Sequence, residues 1–319
     1  MKLGFVSDSL GGMGFEEMLD HAARMGVSGV EVNICGWSTA PHCRMDELLG
    51  NPAAQKAFRQ AFVDRGLDII SLNANGNPLH PTDAKQGEDL KKTIRLAGEM
   101  GIKTVCTMSG LPAGSASDTM PNLVVSYEPP ETQEILRSQR EEKLIPFWTE
   151  VASLAAENGV ERIALELHGN QCVYNVPSLH KLREAVGPVI GANLDPSHLF
   201  WMGADPLAAA EALGDAIYHV HAKDTLLNAP VQATTSLLEN GSLMDIPARS
   251  WSYITLGFGH GEEWWRQFCY RLKIAGYDGW LSIEHEDVLL NSLEGLEKSV
   301  ALLQGVMPDK PADYKPQDI

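Results

Sequence analysis

Ile163-Ala164-Leu165-Glu166-Leu167-His168 is an apolar run that ends in an acid and an imidazole. Three later segments have the same form: Ile190-Gly191-Ala192-Asn193-Leu194-Asp195, Tyr218-His219-Val220-His221 and Trp280-Leu281-Ser282-Ile283-Glu284. A strand that is apolar along its length and charged at its C-terminal end is costly to bury unless that end faces a site. Four such ends in succession, separated by helical stretches, predict ligands that converge on one cation. They also predict a parallel barrel, whose chemistry sits at the C-terminal ends of its strands.

Working outward, the same unit repeats along the chain. Short runs rich in Val, Ile and Leu fall near residues 2–7, 29–33, 67–73, 103–108, 162–167, 190–195, 217–222 and 279–284. Strands buried on both faces of a parallel sheet have this composition. Helical patterns lie between them, over 15–25, 51–65, 84–100, 137–158, 177–186, 205–213, 262–275 and 292–305. Several end in a glycine that precedes the next strand, as at Gly26, Gly66, Gly101, Gly159 and Gly276, where a left-handed cap is favoured. Eight strands alternating with eight helices predict an α/β fold, a (β/α)8 TIM barrel in one catalytic domain over residues 1–306. Residues 307–319, with Pro308, Pro311 and Pro316, are expected to form an irregular tail. Two long connections follow strand four (109–136) and strand seven (225–261). The second carries Trp251, Tyr253, Phe258 and His260 and is expected to cover the barrel mouth.

Composition narrows the partners. Lys and Arg total 25 against 42 Asp and Glu in 319 residues, a formal net charge of −17. Such a field repels phosphate backbones and anionic membranes, and no apolar run approaches the length of about 18 residues that a membrane span needs. The five cysteines are scattered without a CxxC spacing, which predicts reduced thiols and a cytoplasmic setting. The chain opens on a strand-like Lys2-Leu3-Gly4-Phe5-Val6, not on a signal peptide. Gly11-Gly12-Met13-Gly14 lacks the full dinucleotide fingerprint and reads as a loop.

Each candidate ligand has a plain alternative. Glu166 suits a barrel-end salt bridge as well as a metal. Asp195, before Pro196, suits a helix or turn cap. Glu284-His285-Glu286-Asp287 suits a solvated charge run, and a lone His is often a satisfied core residue. Their joint placement at four consecutive strand ends favours the metal site. Carboxylates with one imidazole and no thiolate favour Mn²⁺, Mg²⁺ or Co²⁺, with Zn²⁺ also compatible.

The Glu166-Leu167-His168 strand end, Asn193-Leu194-Asp195-Pro196-Ser197-His198, His219-Val220-His221-Ala222-Lys223-Asp224 and Ser282-Ile283-Glu284-His285-Glu286-Asp287 resemble the sugar phosphate isomerase/epimerase group of the xylose isomerase-like TIM barrels. That group includes ketose 3-epimerases, inosose dehydratases and the metal-bearing subunits of C-glycoside deglycosidases. The resemblance covers the whole barrel. It implies one divalent ion, Mn²⁺ first, on Glu166, Asp195, His221 and Glu284. It also implies that Glu166 and Glu284 exchange a substrate proton and that His198 touches substrate. Asn75 and His80 in the loop after strand three, Lys223 and His260 complete the expected substrate contacts.

The expected reaction is isomerisation or epimerisation, by proton abstraction next to a metal-bound ketone of a keto-sugar. A base near its ordinary pKa of about 6.5 would outperform a metal-bound carboxylate, so His168 is the expected base, with Glu166 or Glu284 orienting or reprotonating. The alternative is lyase-type cleavage of a 3-oxo-glycoside or an inosose, for which Trp251, Tyr253, Trp264 and Trp265 either hold an aglycone or pack the rim. Type-IV endonuclease activity is disfavoured by the charge and by the His-free end of strand four, Cys106-Thr107-Met108-Ser109-Gly110. The expected partners are a small sugar or glycoside and either further copies of the chain or a small partner subunit.

Overall fold

A computed structural model describes residues 1–314. Among the described residues, ten strands occur in the order β1 (Lys2–Val6), β2 (Gly29–Asn33), β3 (Asp68–Ala74), β4 (Thr104–Thr107), β5 (Arg162–Glu166), β6 (Ile190–Leu194), β7 (Ile217–Ala222), β8 (Asp224–Leu227), β9 (Trp251–Ile254) and β10 (Trp280–Ile283). Eight of them close into a parallel barrel with neighbours β1-β10-β7-β6-β5-β4-β3-β2. Helices on the outside connect successive barrel strands, so this is a (β/α)8 TIM barrel.

Local sequence explains the elements. The β6 run Ile190-Gly191-Ala192-Asn193-Leu194 is buried throughout, because the barrel interior covers one face and the helix layer the other. The helix Pro52–Val63 starts where Asn51 accepts a bond from the Ala54 N–H and Pro52 fills the first turn. The helix Phe15–Met25 stops at Gly26, whose φ of 74° is left-handed. Trp148, Trp265, Phe5, Phe62 and Phe268 are the largest fully buried side chains.

Three features differ from the sequence reading. Residues 225–261 are not simply a loop: β8 and β9 pair antiparallel outside the barrel, with Asp224 opposite Ile254 and Leu227 opposite Trp251. A six-residue helix, Pro196–Trp201, follows β6. The helix expected over 137–158 is built from Glu131–Arg137, a wider π-turn segment Ser138–Leu144 and Ile145–Glu157. The widening lies just before Pro146, which has no N–H for the regular helical bond. The last helix ends at Val306 and residues 307–314 form neither helix nor strand. The rest of the expected tail, 315–319, lies outside the described residues. No helix among the described residues is long and apolar enough to cross a membrane.

Candidate metal centre and active site

The register gathers the strand ends. Asn193 pairs with Glu166 on one side and His219 on the other, and Ser282 pairs with His221. Asp195 lies one residue past Leu194, which pairs with Val220, and so is level with His221. Ligand atoms of Glu166, Asp195, His221 and Glu284 all lie within 4.8 Å of one another. The first three of these side chains are essentially fully buried.

The cluster fits a cation in three ways. Asp195 is both a cap and a candidate ligand: Oδ1 accepts the Ser197 N–H at 2.8 Å, while the buried Oδ2 has no hydrogen bond. His221 Nδ1 is likewise buried without a hydrogen bond, 3.4 Å from both Glu166 Oε2 and Glu284 Oε2. Five carboxylates (Glu31, Glu166, Asp195, Glu284 and Glu286) face one ammonium, Lys223, and three imidazoles of this network.

Glu31, which the sequence reading did not single out, supports the cluster from below. His219 Nε2 donates to Glu31 Oε2 at 2.6 Å and His221 Nε2 to Oε1 at 3.2 Å, while Asn73 Nδ2 also donates to Oε1 at 2.7 Å. Burial opposes the charge on Glu31, but His219 and His221 hold its carboxyl well below the usual range. An ionised carboxylate can only accept, so the proton of His221 sits on Nε2 and Nδ1 faces the cluster. Glu31, His219 and His221 could themselves ligate a cation. Their atoms are already paired at hydrogen-bond distance, so they read as support. Without a cation, His221 is held well above its ordinary pKa: burial opposes this, but Glu31 and Glu284 outweigh it.

The carboxylates are held ionised. Burial works against Glu166, but His198 and His221 keep it well below its usual range. Its Oε1 accepts from His198 Nε2 at 2.6 Å and its Oε2 from Asn75 Nδ2 at 2.5 Å. His198 is fixed in turn, because its Nδ1 accepts from the Tyr253 hydroxyl at 3.0 Å. Burial also opposes ionisation of Glu284, but Lys223 and His221 hold it at about 2. Lys223 Nζ lies 2.6 Å from Glu284, 3.0 Å from Glu286 and 3.4 Å from Asp195.

A cavity of about 290 Å³ opens above the cluster. Glu166, His168, His198, Asn75, Lys223 and Glu284 line it, as does Tyr253, offered from the sequence as an aglycone or rim residue, and as do Trp37, Asp8 and Glu286, which the sequence reading had not assigned there as ligands or contacts. Two expected contacts are not among its lining residues. His80 Nδ1 accepts from the Thr82 and Asp83 N–H groups and closes its own turn. His260 stacks on Phe200 at 3.7 Å, with Nδ1 2.8 Å from Asp224 Oδ1. Trp264 and Trp265 pack against Phe268, with Trp265 and Phe268 fully buried in the core, while the Trp251 and Tyr253 rings meet at 5.3 Å.

His168 departs from its expected chemistry. Burial, reinforced by His198, pushes its imidazole down to about 3. Its Nδ1 accepts the Asn170 N–H at 3.1 Å. The neutral ring therefore carries its proton on Nε2 and offers a donor rather than a strong base.

Comparison with known proteins places this geometry. The description "Xylose isomerase-like TIM barrel" matches residues 19–305. The uncharacterized protein YfiH of Bacillus subtilis (strain 168) is 44% identical over 309 residues, covering 95% of this chain and 98% of its own. Among solved structures, the IolI protein with a bound zinc atom matches with a TM-score of 0.66 at 18% identity, over 96% of this chain and 98% of that one. The 3-keto-D-glucoside 4-epimerase YcjR from E. coli matches at 0.62 and 14% identity, over 96% and 99%. At these identities the solved structures share the fold.

Proposed function

The chain belongs to the xylose isomerase-like TIM barrel family, and on that premise we propose that it is a divalent-metal-dependent isomerase or epimerase of keto-sugars. The observation that carries this reading is the quartet Glu166, Asp195, His221 and Glu284, three of them buried and Glu284 partly so, with donor atoms within 4.8 Å of one another. A divalent cation held by these four, Mn²⁺ foremost, would polarise a ketone and its adjacent hydroxyl and so acidify the proton between them.

The side chains do the rest. Glu166 and Glu284 flank His221 and transfer the proton, one removing it and the other returning it. Both are held ionised, so each is free to accept. Their low proton affinity makes the step depend on substrate acidity more than on base strength. His198 and Asn75 fix the two oxygens of Glu166. Lys223 fixes Glu284. His168 donates its Nε2 proton to a substrate oxygen and steadies the developing enediolate.

Turnover of 3-keto-glucose and of free ketoses in D₂O, followed by NMR, tests the reading. Deuterium is expected at the carbon beside the carbonyl. Turnover without solvent exchange, with hydrogen moving directly between carbons, would overturn it.

A further inference from the structure

A second cavity, of about 840 Å³, adjoins the polar one and shares His168 and Tyr253 with it. Its walls come from the connection after β4 (Val124), from the segment after β5 (Tyr174) and from residues 236–251 (Leu237 and Leu243). The Trp201 and Trp251 rings stack in its floor, 4.9 Å apart at 7°.

This wall is built, not incidental. Arg249, only 3% exposed, lies over the Trp251 ring at 4.8 Å. Its Nε donates to Trp251 O at 3.0 Å and its Nη1 to Gly241 O at 2.6 Å. The Trp251 indole N–H donates to Leu237 O at 3.2 Å. Glu239 accepts the N–H groups of Gly241 and Ser250 at 2.8 and 3.0 Å. The residues between β8 and β9 are thereby folded against the mouth.

We propose that this cavity is a subsite for a large, ring-bearing apolar substituent on the sugar. The substrate class is then a keto-sugar glycoside with an aryl-type aglycone rather than a free monosaccharide. The inference rests on the functional reading above and deepens it. The polar cavity above the cluster has room for one sugar unit. The adjoining apolar one has the size of sites for drug-sized ligands. An amphiphilic molecule with a polyol head and an aromatic tail matches this division, and the tail would pass between His168 and Tyr253.

Binding can be read without chemistry. Calorimetry on the purified metal-loaded protein compares 4-nitrophenyl β-D-glucopyranoside with methyl β-D-glucopyranoside. The aryl glucoside is expected to bind about tenfold more tightly or better, which is about 1.4 kcal/mol. Val124→Arg and Leu237→Arg each put a charge into the apolar wall from a half-exposed position and are expected to erase the preference. Equal affinity in the wild type, absence of binding by the aryl glucoside, or a preference that survives both substitutions would overturn the subsite. A change of sedimentation in the variants with the preference intact would assign the cavity to a second copy of the chain and also overturn it. Aryl preference without deuterium exchange on any keto-sugar would sink the functional reading and leave the subsite standing. Exchange without aryl preference would do the reverse.

Discussion

Glu31→Gln isolates the support beneath the candidate metal site. The substitution keeps the side-chain shape but removes the charge that two imidazoles share, at 2.6 Å from His219 and 3.2 Å from His221. Hydrogen bonds to a charged partner contribute about 1.5–3 kcal/mol and neutral ones about 0.5–1.5 kcal/mol. Two such downgrades amount to roughly 2–3 kcal/mol, shared between folding and site geometry. The bond to His221 is the one that fixes which nitrogen faces the ligand cluster. Losing a carboxylate behind a ligating imidazole costs about 10–100-fold in metal affinity. The account therefore predicts a Mn²⁺ dissociation constant raised by about that factor in Glu31→Gln, with the far-ultraviolet circular dichroism unchanged. Calorimetric titration of chelator-stripped protein measures it. An affinity indistinguishable from wild type in a folded variant would refute the supporting role.

Other outcomes follow from the same geometry. Tyr253→Phe removes the hydroxyl that donates to His198 Nδ1 and should lower kcat by about tenfold with little change in metal content, as steady-state kinetics beside metal analysis would show. Asp224→Ala strands the N–H groups of Gly257, Gly259 and His260, bonded at 2.9–3.2 Å to Asp224 Oδ2, and should cost about 3–5 kcal/mol in urea unfolding. His168, depressed to about 3, adds stability that is complete above its unfolded pKa of about 6.5 and is lost as pH falls toward the folded value. Chemical-shift titration of labelled protein should accordingly find no His168 inflection between about pH 5 and 8. Burial pushes the thiols of Cys43, Cys172 and Cys269 up to about 12 and Cys35 to about 11. They should resist Ellman's reagent at pH 8 in the native state and react when unfolded, and their stabilising share should fade as pH rises above about 8.5.

The barrel was legible because parallel strands leave a dense apolar signal and glycines end the intervening helices. The quartet was legible because each member sits at the C-terminal end of such a strand, Glu166 and His221 within its last two residues and Asp195 and Glu284 one residue beyond. Glu31 was not, since Gly29-Val30-Glu31-Val32-Asn33 reads equally as an ordinary strand with a polar residue turned outward. Only closure of the barrel brings it against His219 and His221, about 190 residues away in sequence. The pairing of β8 with β9 was hidden for a related reason: more than twenty residues separate the two strands, too many for a hairpin turn to announce them. Asp195 shows that a plain reading and a functional one can coexist, with one oxygen capping a helix and the other left for the cluster. For His168, sequence gives the residue and its place on the Glu166 strand end. Its depressed pKa follows from burial and the packed His198 ring at 4.3 Å, which the order of residues does not encode.

Metal analysis by mass spectrometry on the wild type and on the Asp195→Ala/His221→Ala double variant tests the central claim most directly. The account predicts one divalent ion per wild-type chain and loss of most of it from the variant, with the fold retained by circular dichroism. A folded double variant that still carries a full equivalent of the ion would contradict it.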